Sequence, residues 1–535
     1  MRRKTKFVAV LMITVLVGLM RQTAYAGQTS EGKANLQLGK VNFPTSCVGN
    51  VQPTIEKGVA LLHSFQYQQA ELTFAEASKR DPKCATAHWG KAMALFHQLW
   101  DFPEDKTLKK GRKEIEKSQK LHPTSKHEQE FLAAAATFFQ RKPKMTHAER
   151  IGAYSSAMEH LYAENPGDVE IGAFYALSLV SLADAGLETN ANLKKAIALL
   201  EPMLRQFPDH PGIAHYLIHA ADRPQFASQG LEAARRYAAI APDSSHALHM
   251  PSHIFVKLGL WQDSISSNIA ADKAGAHAAE MHMAEADYQT HARDFLSYSY
   301  LQSGQESKAR EVIEHTLQVV GANDEAKADE NAYLAARTSL ELHHWKEAAT
   351  LPIPAIRKNW QDTTFWARAI GESRIGDVAG AEAAVKQLAA LVAERENRTR
   401  KRGYNVPSEK ATDLSEADAW LAFAKGNSEN ALQELHAAAD RQDKNGGESV
   451  GIPAREMLAD MLLELKRSTD ALAEYQTVLK NSPNRFNALV GAARAAQASG
   501  DTTVSQEFYS RLKQVCPVNA DRPELAEAKT VSTRK

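Results

Sequence analysis

Cysteine is scarce in this chain: Cys47, Cys84 and Cys516 are the three in 535 residues. That excludes a small scaffold framed by disulfides, and the absence of any Cys-x-x-Cys excludes a dithiol redox motif. Long apolar runs are scarce too. The run Phe7 to Met20 spans 14 residues, short of the roughly 20 that a permanent membrane span needs. Net charge is missing, with 64 basic residues against 64 acidic ones, so nucleic acid is not expected as the main partner. No phosphate-cradling loop and no nucleophile elbow occur. β-rich segments are few, while alanine, leucine, glutamate, lysine and glutamine dominate, which makes the class all-α.

The start of the chain has the form of a secretory signal. Arg2, Arg3, Lys4 and Lys6 precede the apolar run, and Ala24-Tyr25-Ala26 offers an A-x-A cleavage site. No cysteine follows that site, so no lipid anchor is expected. Removing the five basic residues of 1–26 leaves 59 basic against 64 acidic, about −5. The expectation is cleavage after Ala26, a periplasmic or secreted location, and no stable membrane anchor. Export permits disulfides. Cys47 precedes the first helical hairpin and Cys84 follows it, so a bridge across that hairpin and two buried thiols are both open readings.

A repeat is legible near the start. Gly58, Tyr67, Ala70, Phe74, Ala77 and Pro82 fall at the spacing of two packed helices. Small residues let the helices approach, aromatics fill the gap, and proline stops the second helix. Ala471, Tyr475 and Pro483 repeat the theme, and Gly500 and Tyr509 follow Lys466 and Tyr475 by 34 residues each. Turns between helices recur at Gly259-Leu-Trp261, Gly304-Gln, His344-Trp345, Gly376-Asp, Gly426-Asn and Gly500-Asp. Residues 97–125 interrupt the early repeats with an aromatic loop and a charged helix, and Trp100 in that loop is the tryptophan placed best to touch a ligand. Trp89, Trp261 and Trp345 read as packing residues.

The 34-residue period and these residues resemble the tetratricopeptide (TPR) repeat. Longer phrases are similar to a family of exported bacterial TPR proteins without an assigned activity: CATAHWGKAM (84–93), HPGIAHYLIHAADRP (210–224), SSHALHMPSHIFVKLGLW (244–261), REMLADMLLE (455–464) and PNRFNALVGAARAA (483–496). The resemblance implies a right-handed α-solenoid of roughly nine to ten helical hairpins, held by neighbour-on-neighbour stacking. The expected division is a signal at 1–26, an extension at 27–49, N-terminal repeats at 50–225 and central repeats at 226–392. A basic linker at 393–416, C-terminal repeats at 417–515 and a flexible tail at 516–535 follow. The linker holds Arg395, Arg398, Arg400, Lys401 and Arg402, a solvated charge run.

The histidines carry the chemistry. His215 and His219 form one i, i+4 pair and His249 and His253 another, offset by 34 residues. Such spacing puts both rings of a pair on one helix face, and equivalent positions of stacked hairpins lie side by side. In the TPR register implied by the resemblance, His246 and His291 take the second groove position, Asp294 the fifth, Tyr298 the ninth and Asp222 the twelfth. Pro251 is expected to kink or start the helix near Met250. Four neutral imidazoles on one wall are a ligand set for zinc or copper, with Asp222 or Asp294 completing the site or orienting a ring. His215-Tyr-Leu-Ile-His219 lacks the glutamate of a zinc peptidase. The expected function is a non-enzymatic scaffold that takes a protein or peptide partner in a histidine-lined concave groove. A transition-metal-binding protein or metal-dependent hydrolase using the same histidines is the alternative.

Overall fold

In the computed structural model, eight of the helix pairs are joined by a tight turn whose central residue has positive φ. Phe65, Gly259, Gly304, His343, Gly376, Gly426, Lys466 and Gly500 all adopt it, with φ between 55° and 86°. This left-handed residue ends a helix by satisfying its last carbonyls and reverses the chain. Phe74 shows how the helices then close up. Its ring lies where a Cβ on Gly58 or Gly90 would approach to 2.6 or 2.4 Å, so only glycine fits on both facing helices. Tyr475 fills the same role against Gly491.

The structure describes residues 36–99, 103–142, 144–280, 288–355, 361–401, 406, 409–447 and 450–532. The signal and its cleavage site, Trp100 and Arg402 lie outside them. From Leu38 onward the chain forms one compact unit.

Twelve consecutive helix pairs occur among the described residues, where nine or ten were expected. They begin with Gln52–His63 and Tyr67–Arg80 and end with Phe486–Ala498 and Thr502–Val515. One added pair lies in the 97–125 interruption, and two further segments differ from the expected division. The charged stretch of the 97–125 interruption is the helix Asp105–Lys120, which packs as the second member of a pair against Ala85–Met93. The expected basic linker begins as the end of the helix Val378–Lys401, where Arg395 bonds Asp362 and Asp413 at 2.5 and 3.0 Å. The expected flexible tail carries the helix Leu525–Ser532, tied back by Arg494 to Glu527 at 2.5 Å. No helix among the described residues is long and apolar enough to cross a membrane.

Two features fill the inner side of the repeats. Residues 38–48 run extended across the first helices of the early hairpins. Phe43 is fully buried and stacks on Trp89 with ring centroids 4.9 Å apart. The amides of Lys40, Asn42, Ser46 and Val48 donate to Asp209 O, Glu170, Glu128 and Asp81. Cys47 and Cys84 are joined by a disulfide, so this segment is also fixed covalently.

At the other end the C-terminal repeats fold onto the turns of the central ones. Trp261 Nε1 donates to Asn484 O at 2.9 Å, and Asn484 returns a bond to Gly259 O at 3.3 Å. Arg485 is fully buried and bonds Glu341, Glu456 and the Tyr298 hydroxyl at 2.6 to 2.9 Å. Three partners satisfy the guanidinium, which a buried charge requires.

Candidate metal centre

Three consecutive repeats deliver the histidines. The helix Pro211–Ala221 begins at Pro211 in a favoured first-turn position, and His215 and His219 occupy its inner face. The next inner helix is broken. Ser245–His249 stops at Met250, and Pro251 opens a new segment, Pro251–Lys257. His249 and His253 straddle that break. Tyr288–Gln302 supplies His291.

The six rings gather as two triads rather than one quartet. His215 Nε2 lies 3.0 Å from both His246 Nε2 and His219 Nε2. His249 Nε2 lies 3.1 Å from His253 Nε2, and the His291 ring packs on His249 with centroids 4.5 Å apart. Within each triad one ligand nitrogen per ring falls within 4.8 Å of the others. The pattern is the same twice: the two histidines of one repeat are joined by the second-position histidine of the next. The triads are neighbours, with His219 to His253 and His246 to His249 centroids each 6.4 Å apart. His215, His246 and His249 are buried, His219 and His253 partly so, and His291 is exposed.

Hydrogen bonds fix which nitrogen carries the proton in three of the six neutral rings. His215 Nδ1–H donates to the His63 carbonyl at 2.6 Å. His253 Nδ1–H donates to Asp222 Oδ2 at 2.8 Å. His249 Nδ1–H donates to Asn268 Oδ1 at 2.7 Å, and the Asn268 amide is oriented by its own donation to Ser264 O. In their neutral form all three rings turn a bare Nε2 into the cluster. A bare nitrogen facing a bare nitrogen at 3.1 Å is repulsive, since neither can donate. In the first triad, one lone pair on His215 faces two nitrogens and accepts from one at most. A metal ion satisfies both arrangements, and carbonyl, carboxylate or amide oxygens behind the ligating rings are how such rings are held.

Charge state agrees. Burial holds the His215 imidazole down to about 3, and burial reinforced by neighbouring histidines holds His219, His246 and His249 well below the usual range. Neutral rings are the form that binds metal. Burial would push the Asp222 carboxyl up, but His253 outweighs it and the carboxyl sits near 2, ionised.

Two other clusters look similar and differ in chemistry. His63, Glu170 and His210, which the sequence did not single out, are buried together. Here every nitrogen is used. Glu170 accepts from His63 Nε2 at 2.8 Å and His210 Nε2 at 3.2 Å, while Tyr216 O–H donates to His63 Nδ1 and Ile213 N–H to His210 Nδ1. That closed network leaves no lone pair for an ion. It also fixes His63, whose carbonyl orients His215. Cys47, Asp81 and Cys84 also lie together, but the sulfurs are spent in the disulfide.

The remaining expected groove residues sit elsewhere. Asp222 lies at the cluster, on His253. Asp294 instead pairs with the buried Arg337 guanidinium, which also bonds Val450 O at 2.7 Å. Tyr298 faces inward but is covered, bonding Arg485 at 2.9 Å. Both were expected to face an open groove, and the folded-back C-terminal repeats occupy that place. Trp89 and Trp261 are core residues, and Trp345 packs partly buried on His343.

The tetratricopeptide repeat family model matches residues 56–99 and 416–486. These stretches are TPR repeats, and the chain is an all-α, TPR-like solenoid. Solved structures similar to it include a tetratricopeptide repeat protein from Parabacteroides merdae, 14% identical over 54% of this chain and 98% of that one, with a TM-score of 0.30. Human IFIT1 as a dimer with m7Gppp-AAAA is 14% identical over 85% of this chain and 94% of that one, at 0.35. Yeast Tom70 is 10% identical over 90% and 96%, at 0.30. No curated protein matches the sequence significantly.

Proposed function

We propose that the protein binds a transition-metal ion, zinc or copper, through His215, His219 and His246 and through His249, His253 and His291. The observation that carries this reading is the 3.1 Å approach of two Nε2 atoms whose Nδ1 protons are both committed elsewhere. An all-nitrogen donor set suits these ions. A protein-binding role fits the TPR repeat, and a protein or peptide partner remains part of the reading. The histidines themselves are packed against one another, which suits an ion better than a peptide. The disulfide fits an oxidising compartment, in keeping with an exported, periplasmic or secreted protein.

Elemental analysis of the mature chain, purified without a histidine tag or chelator, tests this. Near-stoichiometric zinc or copper that disappears in the His215→Ala/His253→Ala variant is the expected result. A chain that takes up no metal even on reconstitution would leave a scaffold alone.

A further inference from the structure

The extended segment 38–48 meets the supports of the first triad at three places. Its start packs on the entrance of the helix Pro211–Ala221, which carries His215 and His219. Lys40 N–H donates to Asp209 O at 2.9 Å, and a Cβ on Gly39 would stand 2.7 Å from Asp209 O and 2.9 Å from Pro211 Cδ. Its middle bonds the carboxylate behind His215. Asn42 N–H donates to Glu170 Oε1 at 3.1 Å, and the same buried group accepts from His63 and His210. His210 Nδ1 caps the helix by accepting from Ile213 N–H, and the His63 carbonyl accepts from His215 Nδ1–H. Phe43 adds a route through packing. Its ring lies 4.8 Å from Phe131, Phe131 lies 5.7 Å from Phe174, and Phe174 lies 4.9 Å from His63, all between centroids. Lifting the segment would free the helix entrance, take a donor from a buried carboxylate and empty the space beside the rings that pack His63. A buried carboxylate that loses a donor draws in water or another donor, and either disturbs the His63 carbonyl.

We propose that residues 38–48 are a strap that sets the metal affinity of His215, His219 and His246, and that the Cys47–Cys84 bond is the redox lock on that strap. This rests on the metal reading above. Cys84 is buried and Cys47 partly exposed, so an attacking thiolate meets Cys47 first. A dithiol supplies two electrons and two protons. The Sγ–Sγ bond breaks, Cys47 and Cys84 become thiols, and the dithiol closes to its own disulfide. The strap then keeps its peptide link to the first helix and loses its tie to the helix Ala85–Met93. The His63 carbonyl is no longer held in one place, and the ion is bound less tightly. The second triad takes its backing bonds from Asn268 and Asp222 and is expected to keep its affinity.

The test uses the full mature chain with His291→Ala, a change at an exposed residue that disables the second triad. Zinc affinity is measured by competition with a chromophoric chelator, before and after reduction. A phosphine serves as reductant; it takes up the oxygen of water and leaves no added thiol to bind zinc. The dissociation constant is expected to rise about tenfold, the low end of what loss of a group behind a ligand costs. Adding Cys47→Ser and Cys84→Ser should give the weaker value with or without the phosphine. Gly39→Ala keeps both cysteines and should weaken binding in the oxidised chain. Hydrogen exchange of the amides of 209–222, followed without metal, should be faster after reduction. An affinity unchanged on reduction would overturn the proposal while leaving metal binding intact. An oxidised parent that binds no zinc would remove the metal reading itself, and the exchange rates would still decide whether the strap holds the helix.

Discussion

His249 Nε2 stands 3.1 Å from His253 Nε2 across the helix break at Pro251. A proline inside the helix was expected to spoil their i, i+4 relationship. The break instead keeps both rings on the inner side, because Met250 and Pro251 retain helical backbone and only the hydrogen-bond ladder is interrupted. The pair is then held from behind by Asn268 on one side and Asp222 on the other.

Those backing groups make a prediction for Asp222. Asp222→Asn preserves the shape but removes the charge that orients His253 Nδ1–H. The zinc dissociation constant is expected to rise about 10- to 100-fold, measured by competition with a chromophoric chelator. An unchanged constant would mean that Asp222 does not position a ligand.

Acid should act on the ion-free protein through the buried imidazoles. Their folded pKa values lie below the ordinary 6.5, with His215 near 3. Between those values the unfolded chain binds more protons, so stability falls as pH drops below about 6.5 and is not altered by these groups above it. Urea midpoints at pH 7.5 and pH 5 should differ in that direction. The difference should shrink in His215→Ala/His249→Ala, which removes two of the responsible rings.

The Cys47–Cys84 bridge closes a loop of 37 residues and pins the extended segment 38–48. Replacing both cysteines by serine should cost about 3–4 kcal/mol in the chain-entropy account. Thermal unfolding with and without reductant measures it, and no change in the parent on reduction would contradict the prediction.

Arg485 holds the folded-back repeats through Glu341, Glu456 and Tyr298. Arg485→Ala leaves two buried carboxylates without their cation and should cost about 3–5 kcal/mol. Limited proteolysis should then cut between the central and C-terminal repeats earlier than in the parent. Gly259→Ala should act on the same contact. Its φ is +66°, and a Cβ there would stand 2.1 Å from Pro483 O.

Much of this was legible in the sequence. Five of the eight left-handed turns announced themselves by glycine, and Phe74 and Tyr475 by their spacing from small residues. All six histidines were visible, since they occupy three register positions, each filled in two successive hairpins. Their grouping was not, because a second-position ring reaches back to the preceding repeat, a cross-repeat contact that helical spacing alone does not encode. His63, Glu170 and His210 were missed for a related reason: Glu170 lies 107 residues from His63, and no local pattern marks the pair. The covering of Asp294 and Tyr298 depends on bonds to Val450 and Arg485, 113 and 187 residues away from their partners. Solenoid reasoning, which counts only neighbouring repeats, has no place for such contacts.

Anomalous diffraction from a zinc-soaked crystal, collected on both sides of the zinc edge, tests the central claim most directly. The account predicts anomalous peaks within about 2.0–2.1 Å of Nε2 of His215 and of His253. It predicts no peak at His63, Glu170 and His210, where every nitrogen is already bonded. An empty histidine cluster in a crystal that carries zinc elsewhere would contradict it.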